Sequence, residues 1–194
     1  MRVRSGLALA ALASVLAAEP ALAHTGVGAT HGFVAGLTHP LFGLDHVCAM
    51  VAVGLWAALA GGRAVWAWPL AFVGVMVAGA LLGLAGLSLP GVEVMIAGSV
   101  FAFGIAVALR APLPVLVGAV ICGLFALFHG HAHGTELPAE ASAALYVAGF
   151  ALATALLHAV GLSLGLLLAR LDRVWTPRLV GSAVAATGMV LLVG

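Results

Sequence analysis

Two short stretches of the sequence contain side chains of the types that bind transition-metal ions. The stretches are HPLFGLDH and FHGHAHGTE, and their candidate ligands are His39, Asp45, His46, His129, His133 and Glu136. Imidazole and carboxylate ligands suit borderline divalent ions such as Ni²⁺, Co²⁺ and Zn²⁺, whereas Mg²⁺ and Ca²⁺ prefer sites made of oxygen alone. Three further candidates lie elsewhere in the chain, namely His24, Glu93 and His158. Together these residues predict a site for a divalent transition-metal ion.

The first stretch predicts the start of a long helix. Thr38 is a suitable N-cap and Pro40 is tolerated in a first turn, so His39 and His46 are expected on one straight helix. Their seven-residue separation corresponds to about 10 Å along the axis, too far for one ion. They would form two stations on one path, or one site at His46 with His39 as an outer gate. Asp45 would either bind the ion or orient an imidazole.

The second stretch admits two local structures. If it is helical, His129, His133 and Glu136 share one face at the i, i+4, i+7 spacing. Gly130 and Gly134 favour an unwound end whose carbonyl groups help to bind the ion. A histidine-rich tract is also typical of a loop that scavenges metal ions.

His158 and Glu93 are candidates from other apolar segments. His158 lies near the middle of its segment, where it would form a hydrogen bond to a neighbouring helix or a deeper station on the path. Glu93 lies at the start of another segment, on the side predicted to contain the two stretches. Ionisable residues inside a membrane are costly, and several on one side indicate a functional site.

The composition identifies the elements that must position these residues. Hydrophobic residues make up 64% of the 194 residues and charged residues only 7%, which is too few to cover a water-soluble globule. We predict an all-α integral membrane protein with a bundle of six transmembrane helices in one domain, residues 24–194. The six segments are 36–60, 65–88, 92–109, 114–130, 141–169 and 178–194. The net charge of +1 argues against nucleic acid as a partner.

Residues 1–23 have the pattern of a cleavable signal peptide. A basic MRVR is followed by a short apolar run and by Ala21-Leu22-Ala23, which has small residues where a signal peptidase requires them. Cleavage would make His24 the amino terminus. Its α-amine and imidazole would then be positioned to bind one metal ion together.

The arginines predict the orientation of the chain in a bacterial inner membrane. The first, third and fifth connections between the six segments contain the five arginines that follow residue 23, namely Arg63, Arg110, Arg170, Arg173 and Arg178. These connections are therefore predicted to be cytoplasmic. The mature amino terminus and both metal-binding stretches would then lie on the periplasmic side. The four tryptophans cluster toward the cytoplasmic side, as an interfacial belt would.

In these two stretches, the chain resembles the HupE/UreJ family of nickel and cobalt permeases. HPLFGLDH and FHGHAHGTE match the two signatures of that family, and the resemblance extends over nearly the whole mature chain. It implies transport of Ni²⁺ or Co²⁺, upstream of the maturation of hydrogenase, urease or cobalamin enzymes. The residues it marks as important are His39, Asp45, His46, Glu93, His129 and Glu136, with Phe128 lining the path.

The expected function is that of a secondary transporter or channel-like permease that imports Ni²⁺ or Co²⁺. The ion is its substrate, no resident cofactor is expected, and the sequence leaves open whether the protein forms a homo-oligomer. The chief alternative is an intramembrane zinc-dependent hydrolase that uses the same cluster. A serine hydrolase with Ser99 and His158 is a weaker version, because no nucleophile elbow surrounds Ser99. A membrane-anchored metal sensor or chaperone would leave His46 and His158 unexplained.

Overall fold

The computed structural model describes residues 32–138, 141–170 and 175–194. All regular structure in these ranges is helical, which confirms the predicted all-α class for this part of the chain. The helices are α1 (Gly32–Phe42), α2 (Leu44–Ala60), α3 (Ala64–Leu84), α4 (Val92–Ala108), α5 (Val115–Thr135), α6 (Ala143–Arg170) and α7 (Trp175–Val193). The predicted signal peptide, residues 1–23, and His24 lie outside the described residues.

Four of the described helices, α3, α5, α6 and α7, are long and apolar enough to cross a membrane. The α1–α2 pair passes the same test as a unit, which gives up to five spans. Helix α4 is apolar but has 17 residues, or about 25 Å of helix, slightly less than the hydrocarbon thickness of about 30 Å. The count of six transmembrane helices therefore stays a prediction.

The expectation of one straight helix through the first stretch is wrong. The chain bends by 83° between α1 and α2, and Gly43 between them has an extended backbone with φ −89° and ψ 113°. Thr38 does not cap a helix start, because its hydroxyl donates to the Val34 carbonyl within α1 at 2.9 Å. Pro40 lies in the last turn of α1, where its missing N–H and the low helix propensity of Gly43 favour a helix end.

The second stretch is helical as far as Thr135, so the alternative of an unwound end is wrong. Its two glycines serve the packing of α5 against α3. A Cβ atom at Gly130 would collide with the Met76 carbonyl, and one at Gly134 would collide with the Ala80 carbonyl. Small residues at this spacing let two membrane helices approach closely. The helical face of the second stretch is thereby preserved.

The predicted tryptophan belt is wrong for two of its four members. Trp56 and Trp68 are 1% and 0% exposed, and both rings lie in the hydrophobic core. Each indole N–H donates to a backbone carbonyl at or just before the start of α5. The exposed tryptophans are Trp66 and Trp175. The positions of the tryptophans near the predicted cytoplasmic ends could not separate the buried pair from the exposed pair.

Candidate metal centre

Four imidazole rings meet where the end of α1, the start of α2 and the end of α5 converge. The rings of His39 and His46 lie 5.0 and 4.7 Å from the ring of His133, and the ring of His46 lies 4.8 Å from that of His129. These four residues are called the histidine cluster below. The bend at Gly43 brings His39 and His46 to the same ring, which corrects the expected separation of two distant stations.

Three candidate ligands at the edge of the cluster fit one ion. One ligand atom from each of His39, His133 and Glu136 lies within 4.8 Å of the other two. His39 Nε2 donates to a carboxylate oxygen of Glu136 at 2.8 Å, and the two side chains are 21% and 29% exposed. Imidazole and carboxylate together suit a borderline divalent ion. The partial exposure of His39 and Glu136 would let such an ion reach them from outside the helical bundle.

His133 is the buried member of this group. Its side chain is fully buried, and neither ring nitrogen has a hydrogen-bond partner among the residues that the structure describes. The ring stacks on Phe150, with centroids 4.8 Å apart and planes at 18°. A buried polar group without a partner costs free energy, and a metal ion would satisfy one of these nitrogens. The environment of His133 therefore favours a ligand over a packing residue.

Asp45 fixes the ring of His46. One Asp45 oxygen accepts hydrogen bonds from the Nδ1 and the backbone N–H of His46, at 2.8 and 2.7 Å. Because a carboxylate only accepts, Nδ1 holds the hydrogen and Nε2 offers a lone pair, which has no partner within the described ranges. This is the second arrangement considered for Asp45, and it is common for metal-bound histidines. A Cβ at Gly43 would come within 2.8 Å of the carboxylate oxygen and 3.0 Å of Nδ1, so glycine leaves room for the bond.

A column of rings continues from the cluster into the protein. The ring of Phe72 lies 5.6 Å from that of His129 and 5.2 Å from that of His158. His158 is 2% exposed, and neither of its ring nitrogens has a partner in the described part of the chain. Ser99 contacts His129 at 2.8 Å, so the pairing of Ser99 with His158 considered for a serine hydrolase is not the one observed.

Glu93 and His131 are not members of the histidine cluster. Glu93 is exposed in the first turn of α4, and it does not belong to the group of three ligand atoms. His131 lies in the second stretch, but its Nε2 is 2.6 Å from the Leu87 carbonyl, to which it donates. His131 thus ties the α3–α4 connection to α5.

Sequence reasoning missed several aromatic neighbours of the cluster. Phe150 and Phe72 contact its rings, whereas the resemblance suggested Phe128, which is half-buried. Tyr146 is 1% exposed, its ring lies 6.1 Å from that of His39, and its hydroxyl has no partner among the described residues. These residues come from apolar runs of α3 and α6, where no local motif distinguishes them from ordinary packing residues.

The fold and the site define a membrane protein with metal-ligand side chains gathered at one end of a helical bundle. A family model described as "HupE / UreJ protein" matches residues 11–191. Protein HupE of Rhizobium leguminosarum bv. viciae is 49% identical over 178 residues, which cover 91% of this chain and 93% of that protein. No solved structure matches the chain. The chain belongs to the HupE/UreJ family of membrane proteins related to nickel and cobalt transport.

Proposed function

We propose that the protein is a permease that imports Ni²⁺ or Co²⁺ across the bacterial inner membrane. The observation that carries this proposal is the group of His39, His133 and Glu136, whose three ligand atoms lie within 4.8 Å of one another. The family supports a transporter rather than an enzyme. The ion is the substrate, and the protein acts as a secondary transporter or a channel-like path.

The cluster suggests a route by which the ion exchanges water for protein ligands. His39 and Glu136, which are partly exposed, would capture the hydrated ion together with His133. His46 and His129 would then receive it through the nitrogens that lack partners in the described part of the chain. His158, beyond Phe72, is the deepest candidate. Each contact must be weak enough to release the ion to the next.

The arginines support an orientation with the cluster facing the periplasm. Arg63, Arg110 and Arg170 lie at the ends of α2, α4 and α6, which is the end of the bundle opposite the cluster. Positive charge favours the cytoplasmic side. An inside-negative potential would then drive import, because a dication gains about 4.6 kcal/mol from a full 100 mV, twice the single-charge value. In the same proposal residues 1–23 are removed, residues 24–194 form six spans, and His24 and Glu93 remain candidate outer ligands.

The test is influx of Ni²⁺ and Co²⁺ into proteoliposomes under an inside-negative potential. We compare the full chain with its His46→Ala and His131→Ala variants. His46 lies in the cluster, whereas His131 donates to the Leu87 carbonyl. We expect influx to fall to the level of empty vesicles in His46→Ala and to persist in the matched control His131→Ala.

Two results would contradict the proposal. One is the absence of influx in well-folded wild-type protein that retains zinc tightly, which would favour the zinc-dependent hydrolase. The other is equal influx in the His46→Ala and His131→Ala variants while both stay folded. That second result would mean that the cluster histidines have no special part in transport.

A further inference from the structure

Ser99 is a fully buried polar residue on α4, in contact with one ring of the histidine cluster. Its hydroxyl donates to the Ile96 carbonyl of its own helix at 2.6 Å, and its Oγ lies 2.8 Å from Nε2 of His129. A hydroxyl has one hydrogen to donate and two lone pairs that accept. With the hydrogen directed at Ile96, the contact with His129 requires that Nε2 be the donor.

The other ring nitrogen leads to the same assignment. His129 Nδ1 is buried and has no hydrogen-bond partner within the described ranges. If Nδ1 held the hydrogen, a buried N–H donor would be left without an acceptor, and orphaned buried N–H groups are rare. With the hydrogen on Nε2, both donors at this contact are satisfied and Nδ1 is a bare lone pair. Such a lone pair is what a metal ion requires of a neutral imidazole.

We propose that Ser99 is a positioning residue that fixes the tautomer of His129 and so makes Nδ1 its metal-binding atom. This inference rests on the proposed transport of a divalent metal ion. Asp45 does the converse for His46, whose free nitrogen is Nε2. The ring centroids of His129 and His46 lie 4.8 Å apart. In this proposal, the two adjacent imidazoles would offer their bare nitrogens as an inner station. This station lies beyond the group formed by His39, His133 and Glu136.

The transport test uses Ser99→Ala and Ser99→Thr in the full-length protein, reconstituted for Ni²⁺ and Co²⁺ influx. Loss of a hydrogen-bonding partner behind a metal-bound histidine typically lowers affinity or activity about 10- to 100-fold. For Ser99→Ala we expect the half-saturating ion concentration to rise by that factor. For Ser99→Thr, which keeps the hydroxyl, we expect a value near that of the wild type. The matched control is Ser163→Ala, because the Ser163 hydroxyl donates to the Ala159 carbonyl of its own helix and is exposed.

The tautomer itself is measured in metal-free protein by NMR of ¹⁵N-labelled histidine. The His129 signals are assigned through their proximity to ¹³C-labelled Ser99. We expect a protonated Nε2 and a bare Nδ1 in the wild type and in Ser99→Thr, and a mixture of tautomers in Ser99→Ala. In the alanine variant the signals are identified by difference from the wild type.

Three results would overturn the inference. They are a protonated Nδ1 on His129 in the wild type, an unchanged half-saturating concentration in Ser99→Ala, and loss of transport in Ser99→Ala with an unchanged tautomer. The last result would make Ser99 a packing residue. Failure of the proposed function would look different, because the wild type would then carry no Ni²⁺ or Co²⁺ at all while the metal-free tautomer could still be read.

Discussion

The two ends of the helical bundle differ in the hydrogen bonding of their buried polar side chains. At the end where α2 finishes and α3 begins, Trp56 and Trp68 donate to the carbonyls of Ala111 and Val115 at 3.0 and 2.8 Å. Their rings pack 4.2 Å apart. At the other end the buried imidazoles have nitrogens without partners among the described residues. Among the described residues, the buried tryptophans of the first end are hydrogen-bonded, whereas the second end contains buried nitrogens without partners.

In the proposed permease, this difference would separate residues that stabilise the fold from residues that bind the ion. More than about 90% of buried polar groups in native proteins are hydrogen-bonded, so a concentration of exceptions needs an explanation. The buried side-chain atoms without partners in the described ranges are His46 Nε2, His129 Nδ1, His131 Nδ1, both nitrogens of His133, Tyr146 Oη and both nitrogens of His158. All except those of His158 belong to residues at the cluster end. A passing dication would satisfy several of them in turn.

His133→Leu is expected to have the largest effect, and it tests whether the two ends of the helical bundle differ in function. Replacing a buried imidazole that has no partner in the described part of the chain by an apolar side chain removes an unsatisfied group. We expect unchanged or slightly higher stability and influx at the level of empty vesicles. Thermal unfolding of the purified protein and Ni²⁺ influx measure the two effects. A variant that loses its fold would show that His133 serves packing as the tryptophans do.

Trp68→Ala should have the opposite effects, namely a loss of stability with little change in transport. Trp68 is 0% exposed, and its ring occupies the space where a Cβ of Gly118 would lie. Because lipid is as apolar as the core, the lost packing is the main cost, and we expect about 3 kcal/mol of lost stability. Transport per folded molecule should stay near the wild-type value.

The matched control for this substitution is Trp66→Ala, two residues away and 57% exposed. It should leave the midpoint of thermal unfolding nearly unchanged. Equal destabilisation by the two substitutions would contradict the view that the buried tryptophan pair holds this end of the bundle together.

Gly43→Ala tests how the rings of the histidine cluster are oriented, without removing any candidate ligand. The backbone at Gly43 is in a region that alanine adopts without strain, so the only direct effect is contact with Asp45 and His46. We expect influx to fall about 10-fold, by loss of the bond that orients His46, with little change in stability. The control is Gly74→Ala on α3, where an added Cβ meets nothing within 4 Å. Equal influx in the two variants would argue against a role for the Asp45–His46 bond.

The sequence predicted the helical class better than it predicted the geometry of the candidate ligands. Composition and the two motifs depend on residue type, so they identified the apolar segments together with His39 and Glu136. The bend at Gly43 was missed because Pro40 was assigned to the first turn of one straight helix, on which His39 and His46 would be too far apart for shared contacts. Ser99 was visible only as a hydrolase candidate, since its contact with His129 joins residues thirty positions apart. Long-range pairing of this kind leaves no local signal.

Trp56→Phe should have the smallest effect, and it tests whether a satisfied polar group contributes to transport. Phenylalanine keeps most of the packing against Trp68 but removes the N–H that donates to the Ala111 carbonyl. The expected loss of folding stability is about 1 kcal/mol, which is the net contribution of one hydrogen bond. Trp175→Phe is the control, because Trp175 is 71% exposed. Chemical denaturation measures the loss, and influx should be unchanged in both variants. If influx fell selectively in Trp56→Phe, the end of the bundle that contains Trp56 and Trp68 would also belong to the transport path. Hydrogen bonding of buried polar atoms would then no longer distinguish the two ends.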